Sequence, residues 1–183
     1  MKVLADLERY KEYLDESLVH KIFVLQSVRL MSAYLIDNSY LDMAIALINR
    51  CSVHDNSKFQ EEEMESLMSI EDKSDFKDPN ILLTGEKSNA IKLHWKNNSH
   101  HPEHFDSIYD MSDLDLMEMA CDCYARSKQY ETDFLDFIST RQINRFKFPT
   151  EIYEKFYCYC SILDELGKNN EQDYKVIKKT SKV

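Results

Sequence analysis

The sequence predicts an all-α fold, and three features carry that expectation. Among 183 residues there are only 2 Gly and 3 Pro, too few turn-formers for a many-stranded sheet. Apolar side chains recur at three- and four-residue steps, the period of one helix face. Apolar residues make up 43% of the chain and aromatic residues 11%, which suits a packed core and argues against disorder. A chain of this length can bury one core without staples. The expected organisation is a single helical domain over residues 1–167 and a polar tail over 168–183.

Each element has its own signal. Leu4, Leu7, Tyr10, Leu14, Leu18, Ile22, Leu25 and Val28 form a helical stripe, and a helix in one or two pieces is expected from Leu4 to Leu35. Asp37-Asn38-Ser39 punctuates it, and Tyr40 to Arg50 resumes as an apolar helix. Cys51 to Ser57 is a turn, and Phe59 to Met68 a short acidic helix. Ser69 to Pro79 has no period and is expected to be a surface loop. A helix is expected from near Thr84 to Trp95, followed by loop from Asn97 to Asp110. Ser112-Asp113-Leu114-Asp115 has the pattern of a capping box and should open a helix running to Lys128. Thr132 to Arg145 and Thr150 to Leu166 are the last two helices, with Gly167 placed to cap the second.

Composition also excludes classes of function. A net charge of −10 leaves no basic excess to neutralise a phosphate backbone, so general nucleic-acid binding is not expected. A local basic pocket for one small phosphorylated ligand is compatible with that charge. No apolar run approaches the ~20 residues of a membrane span, and the first residues are charged and periodic, unlike a signal sequence. Cys51, Cys121, Cys123, Cys158 and Cys160 are odd in number and lack the Cys-x-x-Cys spacing of a zinc ribbon. They read as core thiols in a reduced, cytoplasmic protein.

The chemistry concentrates in the histidines. Five of the six lie between positions 54 and 104: His54, beside Asp55, then His94, His100, His101 and His104; His20 sits in the first helix. An adjacent His-Asp pair at a helix-to-helix turn offers one nitrogen and one oxygen to a divalent transition metal. Asp122 stands in an apolar helical segment, where a carboxylate either has a partner, a metal or a cation, or else lies on an exposed face. Lys58, three residues after Asp55, can reach a phosphate as a point charge or be a solvated lysine. Glu118 and Asp122 are i and i+4 and share a helix face, so Glu118 can orient a histidine ligand or serve as general base. The run Glu61-Glu62-Glu63 reads as a solvated acidic face from which Glu62 or Glu63 can turn to the cleft. Trp95 walls the pocket or fills core, and Arg126, one turn after Asp122, is a further candidate phosphate contact.

The order His20, His54-Asp55, Asp122 resembles the HD superfamily of metal-dependent phosphohydrolases. In that superfamily a helical His, a His-Asp pair and a distant Asp bind a divalent metal. His54-Asp55-Asn56-Ser57-Lys58 also resembles the His-Asp-x-Gly-Lys of a cyclic-dinucleotide phosphodiesterase branch, with Ser57 in place of the glycine. A closer resemblance is to an uncharacterised family of small bacterial and phage proteins. It is carried by His54 to Phe59, by His94 to Asn98 with His100-His101-Pro102-Glu103-His104, and by Glu118 to Asp122. These resemblances imply an HD-domain-like helical bundle of six to eight helices with His20, His54, Asp55 and Asp122 on one metal.

Two imidazoles and two carboxylates suit Mn, Fe, Co, Ni or Zn, and Mg less well. His94, His100, His101 and His104 form a candidate second metal or phosphate set. His94 and His101 are placed closest to the chemistry, with His100 nearly equal to His101. The histidine-rich loop is expected to fold over the His54-Asp55 turn and wall the pocket. The function expected is hydrolysis of a small phosphorylated compound, a nucleotide first, by attack of a metal-activated water, with Lys58, His94, His101 and Glu118 as the catalytic candidates. The alternative is a non-catalytic, metal-containing protein that binds a nucleotide or a protein partner.

Overall fold

The structure, a computed structural model, describes residues 2–68, 85–142 and 146–170. Among these residues the chain forms seven α-helices and no strand: α1 (Lys2–Asp37), α2 (Leu41–Ser52), α3 (Glu61–Met68), α4 (Gly85–Asn97), α5 (Asp113–Tyr130), α6 (Phe134–Phe137) and α7 (Thr150–Asn169). Single 3₁₀ turns occupy Asn56–Phe59, Pro102–His104 and Ile108–Asp110. The all-α expectation holds. The surface loop expected over Ser69 to Pro79 lies outside the described residues. No described helix is long and apolar enough to cross a membrane.

Helix α5 is the centre of the bundle. Twelve of its 18 residues are buried, and α1, α2, α6 and α7 pack around it. It opens on the predicted capping box: Ser112 Oγ accepts from the Asp115 N–H at 3.2 Å, and Asp115 Oδ2 accepts from the Ser112 N–H at 2.8 Å. The core joins Phe23, Val24, Val28 and Met31 of α1 to Leu47 and Cys51 of α2, Leu116, Ala120 and Tyr124 of α5, and Phe156, Cys160 and Leu163 of α7. A smaller cluster, Ala90, Ile91 and Trp95 with Leu67, binds α4 to α3. Trp95 therefore fills core.

Most of the stripe read along α1 is not its core face. Leu7, Leu18, Ile22 and Leu25 are exposed; Val28 is buried, and the helix turns Phe23, Val24, Met31 and Leu35 inward with it. That inward face also carries polar residues, which hid it. Ser27 satisfies its hydroxyl on the Phe23 carbonyl at 2.9 Å, and His20 faces the cleft described below.

Two element boundaries differ from expectation. The segment after Thr132 does not continue as one α-helix: α6 is four residues long and passes into a π turn at Ile138–Gln142. Ser139 and Thr140 both donate their hydroxyls to the Asp136 carbonyl, at 3.2 and 2.6 Å, and such back-bonding competes with the helical ladder. Gly167 is not a cap. Helix α7 runs through it to Asn169, and a Cβ at Gly167 would lie 1.5 Å from Tyr124 Oη. The glycine is required by close approach of α7 to α5. Of the cysteines, four are buried thiols and Cys158 is exposed, so the core reading fails for that one; all five are free.

Candidate metal centre

Three parts of the chain place side chains in one buried cleft. Helix α1 brings His20, α5 brings Glu118 and Asp122, and the turn after α2 brings His54 and Asp55. Asp55 has φ 55° and ψ 19°, a left-handed conformation from which it starts the 3₁₀ turn Asn56–Phe59. The end of α4 and the loop that follows add His94, His100 and His101.

Asp55 divides the cleft in two. Its Oδ2 lies 3.5 Å from His54 Nε2 and 3.9 Å from His20 Nε2. Its Oδ1 lies 3.5 Å from His94 Nε2 and 3.6 Å from His100 Nε2. Two sets of candidate ligands result, with the chosen atoms of each within 4.8 Å of one another: His20, His54 and Asp55, and Asp55, His94, His100 and His101. Asp122 Oδ1 adjoins the first set, 2.9 Å from His20 Nε2 and 3.9 Å from His54 Nε2. His101 Nε2 lies 3.0 Å from His94 Nε2 in the second. Both His100 and His101 face the centre; His100 is the more deeply buried. His104 does not join them. It is exposed and donates Nδ1–H to the Trp95 carbonyl at 3.2 Å.

The histidines are held by the nitrogen that faces away from the cleft. His20 Nδ1–H donates to Gln129 Oε1 at 3.2 Å, His54 Nδ1–H to Glu118 Oε1 at 2.8 Å, and His94 Nδ1–H to Glu63 Oε1 at 2.6 Å. Each leaves Nε2 pointing inward, the arrangement by which outer carboxylates and amides orient metal-binding imidazoles. The inward atoms lack other satisfaction: His20 Nε2, His54 Nε2, His100 Nε2, Asp55 Oδ1 and Asp122 Oδ1 are buried and make no hydrogen bond of acceptable geometry. Five such atoms around one cleft are rare in a folded core. A divalent ion in each set would satisfy them, so the residues present fit metal.

The electrostatics follow from burial and close charges. Burial, reinforced by the Arg126 cation, lowers the His20 pKa to about 4. Burial also lowers His94, and with the neighbouring imidazoles holds His101 well below the usual range. For His54 burial is outweighed by Asp55, Glu118 and Asp122, and its pKa rises. Asp55 and Asp122 stay ionised despite burial, Asp55 because of Lys58 and the imidazoles and Asp122 because of Arg126 and His20.

Cations line the same cleft. Lys58 Nζ lies 2.6 Å from Asp55 Oδ2, and Arg126 Nε 3.3 Å from Asp122 Oδ1. Lys21 Nζ donates to Asn56 Oδ1. The Arg126 side chain remains 41% exposed, so it reaches both the ligand and solvent.

Glu63, which the sequence leaves either on a solvated acidic face or turned to the cleft, is buried, accepting from His94 and, at 2.8 Å, from Asn97 Nδ2. Its signal was the i, i+4 relation to partly buried Leu67. Arg50 was read only as the end of a helix; it bonds Glu118, Asp115 and Ser99.

A family model covers residues 9–182, and its description is a family of unknown function, DUF5662. No curated protein matches the chain. No solved structure matches it either.

Proposed function

We propose, from the premise that the chain belongs to the DUF5662 family, that it is a metal-dependent phosphohydrolase acting on a small phosphorylated compound. The observation that carries this reading is Asp55, whose two oxygens face two different sets of histidines. His20, His54, Asp55 and Asp122 would hold one divalent ion, and Asp55 with His94, His100 and His101 a second. The mixed imidazole and carboxylate donors favour Mn, Fe, Co, Ni or Zn. Such an ion supplies Lewis acidity toward a phosphoryl oxygen and a water of lowered pKa.

The chain's own groups do the rest. Glu118 and Glu63 accept from the Nδ1–H groups of His54 and His94 and so fix these two imidazoles with Nε2 turned inward. Lys58 and Arg126 sit on ligand carboxylates and are free to turn to a substrate phosphate once a metal carries the neutralising charge. His101, partly exposed and beside His94, is positioned to complete the second set on its more open side. The resemblance to HD phosphohydrolases puts nucleotides first among substrates, and the thiol-rich, disulfide-free core suits a reducing cytoplasm.

The test joins metal analysis of the purified protein to a hydrolysis panel of nucleoside mono-, di- and triphosphates and cyclic dinucleotides. Bound transition metal, with turnover that a chelator abolishes, is the expected result. One observation favours a second reading, a non-catalytic binding protein: Lys58 and Arg126 already neutralise Asp55 and Asp122 without an ion. Bound metal or nucleotide with no hydrolysis across the panel would select that reading, and a chain that takes up no metal would defeat the first.

A further inference from the structure

Arg50 lies outside both ligand sets, yet one outer contact of each runs through it. Its Nε donates to Glu118 Oε2 at 2.6 Å, and its Nη2 donates to Ser99 Oγ and Asp115 Oδ1. The other Glu118 oxygen, Oε1, accepts from His54 Nδ1 at 2.8 Å and lies 3.5 Å from His100 Nδ1. One carboxylate oxygen thus addresses a histidine from each set, and Arg50 holds the oxygen beside it. The same guanidinium grips Ser99, which precedes His100, and Asp115, which closes the capping box of α5. This one side chain ties its own helix α2 to α5 and to the loop that carries His100.

Glu118 has a competing option. Ligating atoms of His54, His100 and Glu118 also lie within 4.8 Å of one another, close enough for Glu118 to become a metal ligand itself. To do so through Oε1 it would give up the bond from His54 Nδ1–H, and any rotation of the carboxylate would strain the short charge-assisted bond from Arg50 to Oε2. We infer that Arg50 is the positioning residue of the centre: it fixes Glu118 as acceptor for His54 and His100, and keeps it out of the ligand set. A lysine cannot replace the fork of donors that reaches Glu118, Asp115 and Ser99 together. The part that concerns ligands rests on the metal reading above; the orientation of the imidazoles does not.

Two measurements test it on the full-length chain, with Arg50→Gln, Arg50→Lys, Glu118→Gln and the Arg50→Gln/Glu118→Gln double variant. Nitrogen NMR of the metal-free protein at mildly alkaline pH reads the histidine tautomers. His54 and His100 should carry the proton on Nδ1 in the parent chain and become mixed in Arg50→Gln. Titration with Co or Zn should show about 10–100-fold weaker binding in Arg50→Gln, and the double variant should bind no more weakly than Glu118→Gln alone. Parent-like tautomers and affinity in Arg50→Gln, even with reduced thermal stability, would overturn the inference, as would losses that multiply in the double variant. If Arg50→Gln does not fold, Arg50→Lys decides: parent-like tautomers and affinity there refute the role. A parent chain that binds neither ion defeats the metal reading, while the tautomers still judge Arg50.

Discussion

Asp55 is the residue on which the two ligand sets depend together. Its substitution should therefore differ from that of any histidine. Asp55→Ala is expected to reduce bound metal to near zero. His20→Ala should weaken only the set on Oδ2, because its Nε2 faces that oxygen and Asp122. His104→Ala should change nothing, since its ring turns to the Trp95 carbonyl. Metal content of the three variants by elemental analysis checks the ranking; equal losses in all three would contradict it. Asp122 was legible as a carboxylate in an apolar helix and His54-Asp55 as an adjacent pair at a turn, while a lone helical His20 carries no signal by itself and joined them only through the HD resemblance. Glu63 could not be singled out from Glu62, because a charged residue among charged residues looks the same whether it meets water or a buried partner, and Arg50 closes an apolar helix, where a terminal basic residue is ordinary.

At the scale of elements, the contact between α5 and α7 is the most exacting. Tyr124 is fully buried against Phe134, so its ring cannot retreat from an added methyl group on Gly167. Gly167→Ala should destabilise the protein by about 1–3 kcal/mol, the usual cost of overpacking. Tyr124→Phe should relieve only part of this, because the ring carbon behind the hydroxyl is also 2.6 Å from the added Cβ. Chemical denaturation of the two single variants and the double variant measures both effects. A cap reading of Gly167 predicts a loss that does not depend on Tyr124. Here local sequence rules failed because a glycine near a helix end serves capping and close packing equally well. They succeeded at Ser112, where the signal is wholly local and the geometry needs no tertiary partner. They failed again after Thr132, where hydroxyl back-bonding decides the helix type.

Across the whole molecule, the centre draws on residues from His20 to Arg126, so it exists only when α1, the turn after α2, α4 and α5 are assembled. Metal should then report on folding. An ion present at about 100 times its dissociation constant adds about 2.7 kcal/mol to stability, which for a chain of this size is about 5–10 °C in Tm. Chelation should remove the gain; an unchanged Tm would separate the centre from the fold. The metal-free protein should also be acid-sensitive. His20 is held at about 4, and His94 and His101 are lowered too. As pH falls below about 6.5, the unfolded chain binds protons there that the folded chain refuses, and stability is lost. For His20 alone the full effect is on the order of 3 kcal/mol, reached below pH ~4. His54, with its raised pKa, acts in the opposite sense: its contribution is present below about 6.5 and fades as pH rises through the folded value. The depressed Asp55 and Asp122 contribute above about pH 4 and lose that contribution as pH falls further. With three histidines against one, Tm at pH 5 should lie below Tm at pH 7.5. A Tm that climbs on acidification would show that the His54 contribution dominates.

The left-handed backbone of Asp55 gives this turn a distinctive mutational signature. In most positions alanine is the better tolerated truncation, since glycine adds freedom to the unfolded chain. At φ 55° the order should reverse, because only glycine adopts that conformation without cost. Asp55→Gly should be more stable than Asp55→Ala by about 1 kcal/mol, although both lack the carboxylate. The backbone at this turn favours glycine, whereas the proposed metal site requires a carboxylate there, so fold stability and the proposed chemistry pull this one residue in opposite directions.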